Sequence, residues 1–314
     1  MAKFRKIWLV IIFAVAVYLV MSLYADFGKL AAALKNFHVA FLFIVFALTT
    51  FSYFLRFFKW DFFLKRVGVH LKLKDSLFVF FSGLSMIVTP GKIGEIWKGW
   101  LIKDINGEPL SKTVPVVIME RLTDLTGLIL LSVFGVLYYY QQGVYLVLVF
   151  VLILIGFCIA VRSRRISGRI ISFLGKRAGK YTENIKTIRE AFEVTMELKG
   201  LIGMTLLSAV AWFCECLGIY MVVLGFQETI NIALAAFIFS FASLAGAISM
   251  IPGGLGVAEA TISGMLQMFG FVPAVSIGIA IIVRFGTLWY GAAMGIVVYL
   301  LFRKKNNNSR KTRG

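Results

Sequence analysis

The sequence predicts an all-α integral membrane protein with six spanning helices and two re-entrant helical hairpins, arranged as an inverted repeat. Three observations carry that expectation. Of 314 residues, 60% are Ala, Val, Ile, Leu, Met, Phe, Trp, Tyr or Cys and only 15% are charged, against roughly 45–50% and about 25% in soluble domains. The apolar residues fall in runs long enough to cross a hydrocarbon layer of about 30 Å at roughly 1.5 Å per helical residue. The net charge of +18, from 33 Lys plus Arg against 15 Asp plus Glu, is bunched between those runs. In a soluble chain such a charge would point to nucleic acid; between apolar runs it sets membrane orientation, so no nucleic-acid partner is expected.

The first run, Ile7 to Tyr24, follows Lys3, Arg5 and Lys6. Its 18 residues exceed the roughly 7–15 of a signal-peptide core and no Ala-x-Ala site follows closely, so it reads as the first span. The other five expected spans are Val39 to Phe62, Thr113 to Tyr139, Val144 to Val161, Leu201 to Leu224 and Val275 to Phe302. Two further runs, Ser76 to Thr89 and Ile232 to Ile251, stop at Pro90-Gly91 and Pro252-Gly253-Gly254 and resume as Ile93 to Lys103 and Val257 to Phe269. Pro and Gly open a helix, and backbone groups freed at membrane depth must face protein or a wet cavity.

Charge decides how the broken runs cross. Residues 1–6, 63–75, 103–112, 162–200 and 303–314 hold 25 Lys/Arg, whereas the intervening loops hold only Lys29 and Lys35. Placing the basic segments on the cytoplasmic side requires each broken run to enter and leave on one face. Repeats of about 7–139 and 144–302 in opposite orientation then follow, within one polytopic domain covering 1–314. The two tips read alike, and Arg121 lies 31 residues after Pro90 as Arg284 lies 32 after Pro252. Interrupted helices in inverted repeats form solute sites near the midplane. Residues 162–200 read as a cytoplasmic connection, with Ile185, Ile188, Phe192 and Met196 at helical spacing, and 303–314 as a disordered basic tail.

Ionisable residues at membrane depth cost roughly 2.5–3.5 kcal/mol even on insertion scales, which makes them functional candidates. Arg284 and Glu215 lie deep in their runs, and Glu120-Arg121-Leu122-Thr123-Asp124 puts two carboxylates on one helix face with Arg121 turned away. Arg56 and Lys59 share a face near the inner end of their run, where snorkelling to head groups and a place in the interior are both open readings. Around the tips stand Lys92, Glu95 and Lys98 on one side and Glu259 on the other, with Gly94 and Gly256 in the flanking turns. For Glu95, Glu120 and Glu259, capping or pairing with a neighbouring base stands beside a direct role. Glu215 has no basic partner in its local sequence and is a candidate for proton coupling. Backbone N–H groups at helix starts together with Arg121 and Arg284 suit a phosphate-bearing head group. Cys158, Cys214 and Cys216 all sit in apolar runs, and no spacing of nucleophile and base or of metal ligands occurs, so neither cofactor nor metal is expected.

The motifs Pro90-Gly91-Lys92-Ile93-Gly94-Glu95, Glu120-Arg121-Leu122-Thr123-Asp124 and Pro252-Gly253-Gly254-Leu255-Gly256-Val257-Ala258-Glu259, with the embedded Arg284, resemble the flippase-like membrane domain family, also called the lysylphosphatidylglycerol synthase transmembrane region. The resemblance covers about residues 5 to 303. It implies movement of an anionic phospholipid or a polyprenyl-linked lipid between leaflets of the cell membrane, alongside a separately encoded synthase or glycosyltransferase, while the Lys/Arg asymmetry predicts both termini to be cytoplasmic. Aminoacyl-lipid synthases continue into a soluble catalytic domain, whereas the sequence stops at Gly314, which implies a non-enzymatic role. A small-anion or small-solute transporter, an accessory subunit and an integral-membrane transferase are the competing classes.

Overall fold

A computed structural model describes residues 2–89, 95–139, 144–145, 148–149, 151–152, 155–156 and 182–311, and the elements it describes are helices. In chain order they are α1 (Ala2–Tyr24), α2 (Phe27–Lys35), α3 (Ala40–Arg66), α4 (Leu73–Gly83), α5 (Trp97–Asn106), α6 (Leu110–Tyr139), α7 (Thr182–Thr195), α8 (Leu198–Gly225), α9 (Ile232–Ile248), α10 (Val257–Met268), α11 (Pro273–Arg284) and α12 (Tyr290–Lys311). A 3-10 turn, Leu84–Met86, prolongs α4, and another, Pro252–Gly254, joins α9 to α10. A π-helical turn, Phe285–Trp289, joins α11 to α12 without a break in the run.

The expected count of six spans and two hairpins is corrected. Among the described residues, three helical stretches are long and apolar enough to cross a membrane: Ala40–Arg66, Leu198–Gly225 and Pro273–Phe302. A fourth crossing among them arises if Ile12–Tyr24 and Phe27–Lys35, bent by 98°, count together. The expected first span therefore leads into a sharp corner. Asp26, at a φ of 65°, turns the chain there, and its carboxylate accepts from the Gly28 and Lys29 N–H groups to cap α2.

The other differences have local causes. The run expected to span over Thr113 to Tyr139 lies on α6, whose first half carries Lys112, Glu120, Arg121 and Asp124 and whose second half includes side chains outside the described residues. Most of Val144 to Val161, and the tip residues Pro90, Gly91, Lys92, Ile93 and Gly94, also lie outside them. The run over Ile232 to Ile251 forms only the 17-residue α9 before the Pro-Gly-Gly break, about 26 Å of helix against a hydrocarbon layer of roughly 30 Å. Among the described residues, the bend of more than 40° between helices that together are long and apolar enough to span is the one at Asp26. The inverted repeat expected over about 7–139 and 144–302 loses the six-span count on which it stood.

Packing holds the spanning helices around two apolar clusters. One gathers Val45, Leu128, Trp212, Ile219, Phe237 and Val283 from α3, α6, α8, α9 and α11, and the other Tyr53, Trp60, Phe63, Phe80, Ile102 and Met119 from α3 to α6. Apolar association gains little between helices surrounded by lipid, so close backbone approach at small residues matters more. Gly127 is such a place: a Cβ there would come within 2.9 Å of the Ala209 backbone nitrogen. That contact draws α6 against α8 and sets Asp124, one turn earlier, beside Ser208. Helix α7 lays Ala191 and Thr195 against the protein, with Phe192 and Met196 on the second cluster and Lys186, Glu190 and Glu193 outward.

Candidate functional site

Ten charged side chains of the described residues interlock inside the helical bundle. The inner group is built on α6. Lys98, from α5, donates to Glu120 Oε2 at 3.0 Å, and its ammonium sits 4.6 Å from the Trp60 ring centre and 4.9 Å from that of Phe80. Lys59, from α3, donates to Asp124 Oδ1 and to Ser208 Oγ, each at 2.5 Å, and to the Glu120 carbonyl oxygen at 3.3 Å. Ser208 in turn donates to Asp124 Oδ1 at 2.7 Å. Arg121 pairs with Glu95 at 2.8 Å and with Asp124 Oδ2 at 3.3 Å.

A second group joins α3 to α8. Arg56 pairs with Glu215 at 2.5 Å, and Ser52 donates to the same carboxylate oxygen at 3.1 Å. The guanidinium lies 3.9 Å from the Trp212 ring centre and 5.8 Å from that of Tyr53, a sandwich that stabilises a desolvated cation. The third group ties α11 to the Pro-Gly-Gly break. Arg284 Nε donates to Glu259 Oε1 at 2.8 Å and its Nη2 donates to the Gly253 carbonyl oxygen. Glu259, with no exposed surface, also accepts from the Gly256 N–H at 2.8 Å and from the Tyr18 hydroxyl at 3.3 Å, and Trp289 Nε1 donates to Tyr18 at 2.9 Å. The break itself requires glycine, since Gly254 has a φ of 66° and a Cβ on it would meet Gly246 Cα at 2.9 Å. Each cation therefore has a carboxylate: Arg56, Lys59, Lys98, Arg121 and Arg284 face Glu215, Asp124, Glu120, Glu95 and Glu259, five against five.

The three groups are not equally placed. A cavity of about 260 Å³ lies between α3, α6, α8, α9, α11 and the break, and Arg56, Arg121 and Arg284 all line it, with Asp124 and Glu215. Apolar side chains such as Ile87, Leu125, Leu128, Phe239 and Leu288 make much of the remaining wall, and Met250, 67% exposed, stands at its edge. The Arg121 and Arg284 side chains keep 26% and 13% of their surface exposed, whereas Lys59, Lys98 and Glu120 are sealed at 1–2%. Arg56 Nε, Arg121 Nε and Trp212 Nε1 have no hydrogen-bond acceptor in the described protein; buried donors of that kind are rare in native structures.

The structure thus sorts the residues singled out from sequence. Arg121, Asp124, Glu215, Arg284, Gly253 and Gly254 line the cavity. Glu259 and Gly256 stand behind Arg284, and Glu95 behind Arg121. Lys98 and Glu120 satisfy each other away from the cavity, and Pro252 starts the 3-10 turn without lining it. Lys92, Pro90, Gly91 and Gly94 are outside the described residues. Glu215 does have a basic partner, but on another helix. Arg56 and Lys59 are interior residues rather than snorkelling ones, and the signal for this was available: Ser52, Arg56 and Lys59 recur at i, i+4 and i+7, a polar stripe unsuited to lipid. Tyr18, Tyr53, Trp212 and Trp289 carried no such signal. Among the described residues no group of three or more His, Cys, Asp or Glu is placed to hold a metal ion.

Residues 9–295 match the family described as the lysylphosphatidylglycerol synthase TM region. The chain is also similar to a UPF0104 membrane protein of Methanothermobacter thermautotrophicus, 27% identical over 225 residues, which are 65% of this chain and 66% of that protein. It thus spans just under two thirds of that relative. A UPF0104 membrane protein of Methanocaldococcus jannaschii is 26% identical over 239 residues, 71% of this chain and 97% of the relative. Another, of Pyrococcus horikoshii, is 22% identical over 329 aligned positions, 95% of this chain and 98% of the relative. What matches is a transmembrane region. With three helices among the described residues long and apolar enough to span, an embedded charge network and a match along most of its length, this chain is a multi-pass membrane protein that belongs to the lysylphosphatidylglycerol synthase TM region family.

Proposed function

We propose that the protein translocates an anionic phospholipid or a polyprenyl-linked lipid between leaflets, holding the phosphate of its head group in the cavity. The observation that carries this reading is the convergence of Arg56, Arg121 and Arg284 on one mostly apolar cavity with an exposed apolar edge at Met250. Guanidinium groups bind phosphate through paired N–H donors, and each such bond is charge-assisted. Small-ligand pockets run about 300–1,000 Å³, so a cavity near 260 Å³ holds a head group while acyl or prenyl chains stay in the bilayer beyond Met250. A separately encoded synthase or glycosyltransferase is the partner class that would supply such a lipid.

The test is reconstitution in liposomes carrying fluorescent anionic and polyprenyl-linked lipids, with a membrane-impermeant quencher reporting the outer leaflet. The parental protein should move label across, and Arg121→Ala and Arg284→Ala, recovered as folded protein, should slow it at least about tenfold, the loss expected from one charge-assisted contact. Arg284→Lys, which keeps the charge without the planar fork, should recover only part of the rate. Folded Arg121→Ala and Arg284→Ala proteins that both work at the parental rate would remove phosphate recognition from these residues. Uptake of inorganic phosphate without lipid movement would assign the protein to small-anion transport instead.

A further inference from the structure

We propose that an anionic head group enters the cavity together with one proton, and that Glu215 is the group that takes it. The inference rests on the reading of the cavity as a head-group site and adds the energy coupling of that site. Its basis is the charge balance of the walls. Five cations of the network are matched by five carboxylates, so an arriving anion adds a negative charge that the network does not already balance. A phosphodiester that draws a guanidinium to itself leaves the former carboxylate partner without a counter-charge, and an uncompensated charge in a low-dielectric interior is costly. Protonating one carboxylate restores neutrality.

Among the described residues the carboxylates that line the cavity are Asp124 and Glu215, with Glu95 and Glu259 behind Arg121 and Arg284, and which lining carboxylate gives way follows from what each retains. Asp124, losing Arg121, keeps Lys59 and the Ser208 hydroxyl. Glu259, losing Arg284, keeps the Gly256 N–H and the Tyr18 hydroxyl. Glu215, losing Arg56, keeps only the Ser52 hydroxyl on the same oxygen. Arg56 also lines the cavity with its Nε lacking an acceptor, so it has a donor without a partner beside the site.

The helices around the cavity bring further charged and titratable groups toward Glu215. From α3 it meets Arg56 and Tyr53, from α6 Arg121 and Asp124 line the same cavity, and from α11 Arg284 does. Across α3, Tyr290 of α12 lies beyond Tyr53 and bonds Thr50. Helix α9 offers the cavity the Ser243 hydroxyl as its polar side chain, and α8 itself supplies Cys214 and Cys216 as titratable neighbours. The proton comes from solvent on the side where the lipid enters and leaves with the lipid, so an anion is carried electroneutrally and a pH gradient drives its movement.

The experiment uses the purified full-length protein in detergent and the water-soluble probe dihexanoyl phosphatidylglycerol. Binding is measured by titration calorimetry at matched pH in two buffers of different ionisation enthalpy, which counts protons exchanged. The expected result is about one proton taken up per lipid bound, with affinity falling as pH rises, because the form that binds carries the extra proton. In Glu215→Gln the proton count should fall to zero and the affinity should lose its pH dependence. Binding with no proton uptake in the parental protein would overturn the coupling and leave the head-group site standing. A count that survives in Glu215→Gln but vanishes in Asp124→Asn would overturn the assignment to Glu215. Absence of lipid binding at every pH would remove the head-group reading itself, and the coupling with it.

Discussion

A buried ion pair is a poor source of stability and a severe liability when half of it is removed. The Lys98–Glu120 pair shows the consequence most cleanly, because both side chains are sealed from solvent, stand away from the cavity, and have the Trp60 and Phe80 rings over the ammonium. Lys98→Met strands a carboxylate and should lower stability by roughly 3–5 kcal/mol. The double variant Lys98→Met with Glu120→Met should recover most of that loss. Thermal unfolding in detergent checks both, and a double variant no better than the single one would show that the pair's value lies in its geometry rather than in charge compensation. Arg121 and Arg284 differ in that each keeps exposed surface on the cavity side. Their carboxylates orient them and leave part of the guanidinium free for an arriving acceptor.

Elements place those residues through two unusual pieces of backbone. The Pro252–Gly254 turn puts the Gly253 carbonyl oxygen within reach of Arg284 and starts α10 at Gly256, whose N–H is capped by Glu259. Gly254→Ala adds a Cβ at positive φ against the Gly246 backbone, a strain of order 1–3 kcal/mol. The expected outcome is a lower unfolding temperature together with weaker head-group binding, because the turn that holds Arg284 must shift. An unfolding temperature equal to the parental one would mean that the turn relaxes freely. Beyond Arg284, the π-helical turn Phe285–Trp289 widens the helix, a feature frequent at functional sites. It lies where Thr287 and Leu288 meet the cavity and Trp289 meets Tyr18.

At the scale of the whole molecule, the antiparallel pair α3 and α8 defines two ends. At one end the His38 N–H donates to the Gly225 carbonyl oxygen and Gln227 bonds His38; at the other Arg66 pairs with Glu197. The chain near Arg66 is basic, with Lys65, Lys72 and Lys74, whereas residues 225–231 carry no Lys or Arg. The excess of Lys and Arg faces the cytoplasm in membrane proteins, so the end at Arg66 is expected on that side. Single cysteines at His70 and Thr229, both exposed, in a background free of other cysteines test this with an impermeant maleimide on intact cells. Labelling at Thr229 with protection at His70 is expected; the reverse pattern would invert the orientation.

The membrane class, the helical content and most of the charged residues that line the cavity were legible in the sequence, because each depends on local chemistry. Apolar run length, a Pro-Gly-Gly interruption and an ionisable group deep in such a run mean the same thing wherever the chain is laid. Crossing number was not legible. An apolar run of 18 residues ending near Asp26 looks like a straight span, and only the packed structure reveals the 98° bend that follows it. Partnership was not legible either, since Glu215 has no base in its own sequence neighbourhood and meets Arg56 from a residue 159 positions away. Whether a buried charge is paired or available is decided by which helices are neighbours. That is a property of tertiary packing, and it separates Lys98, sealed against Glu120, from Arg121, open to the cavity.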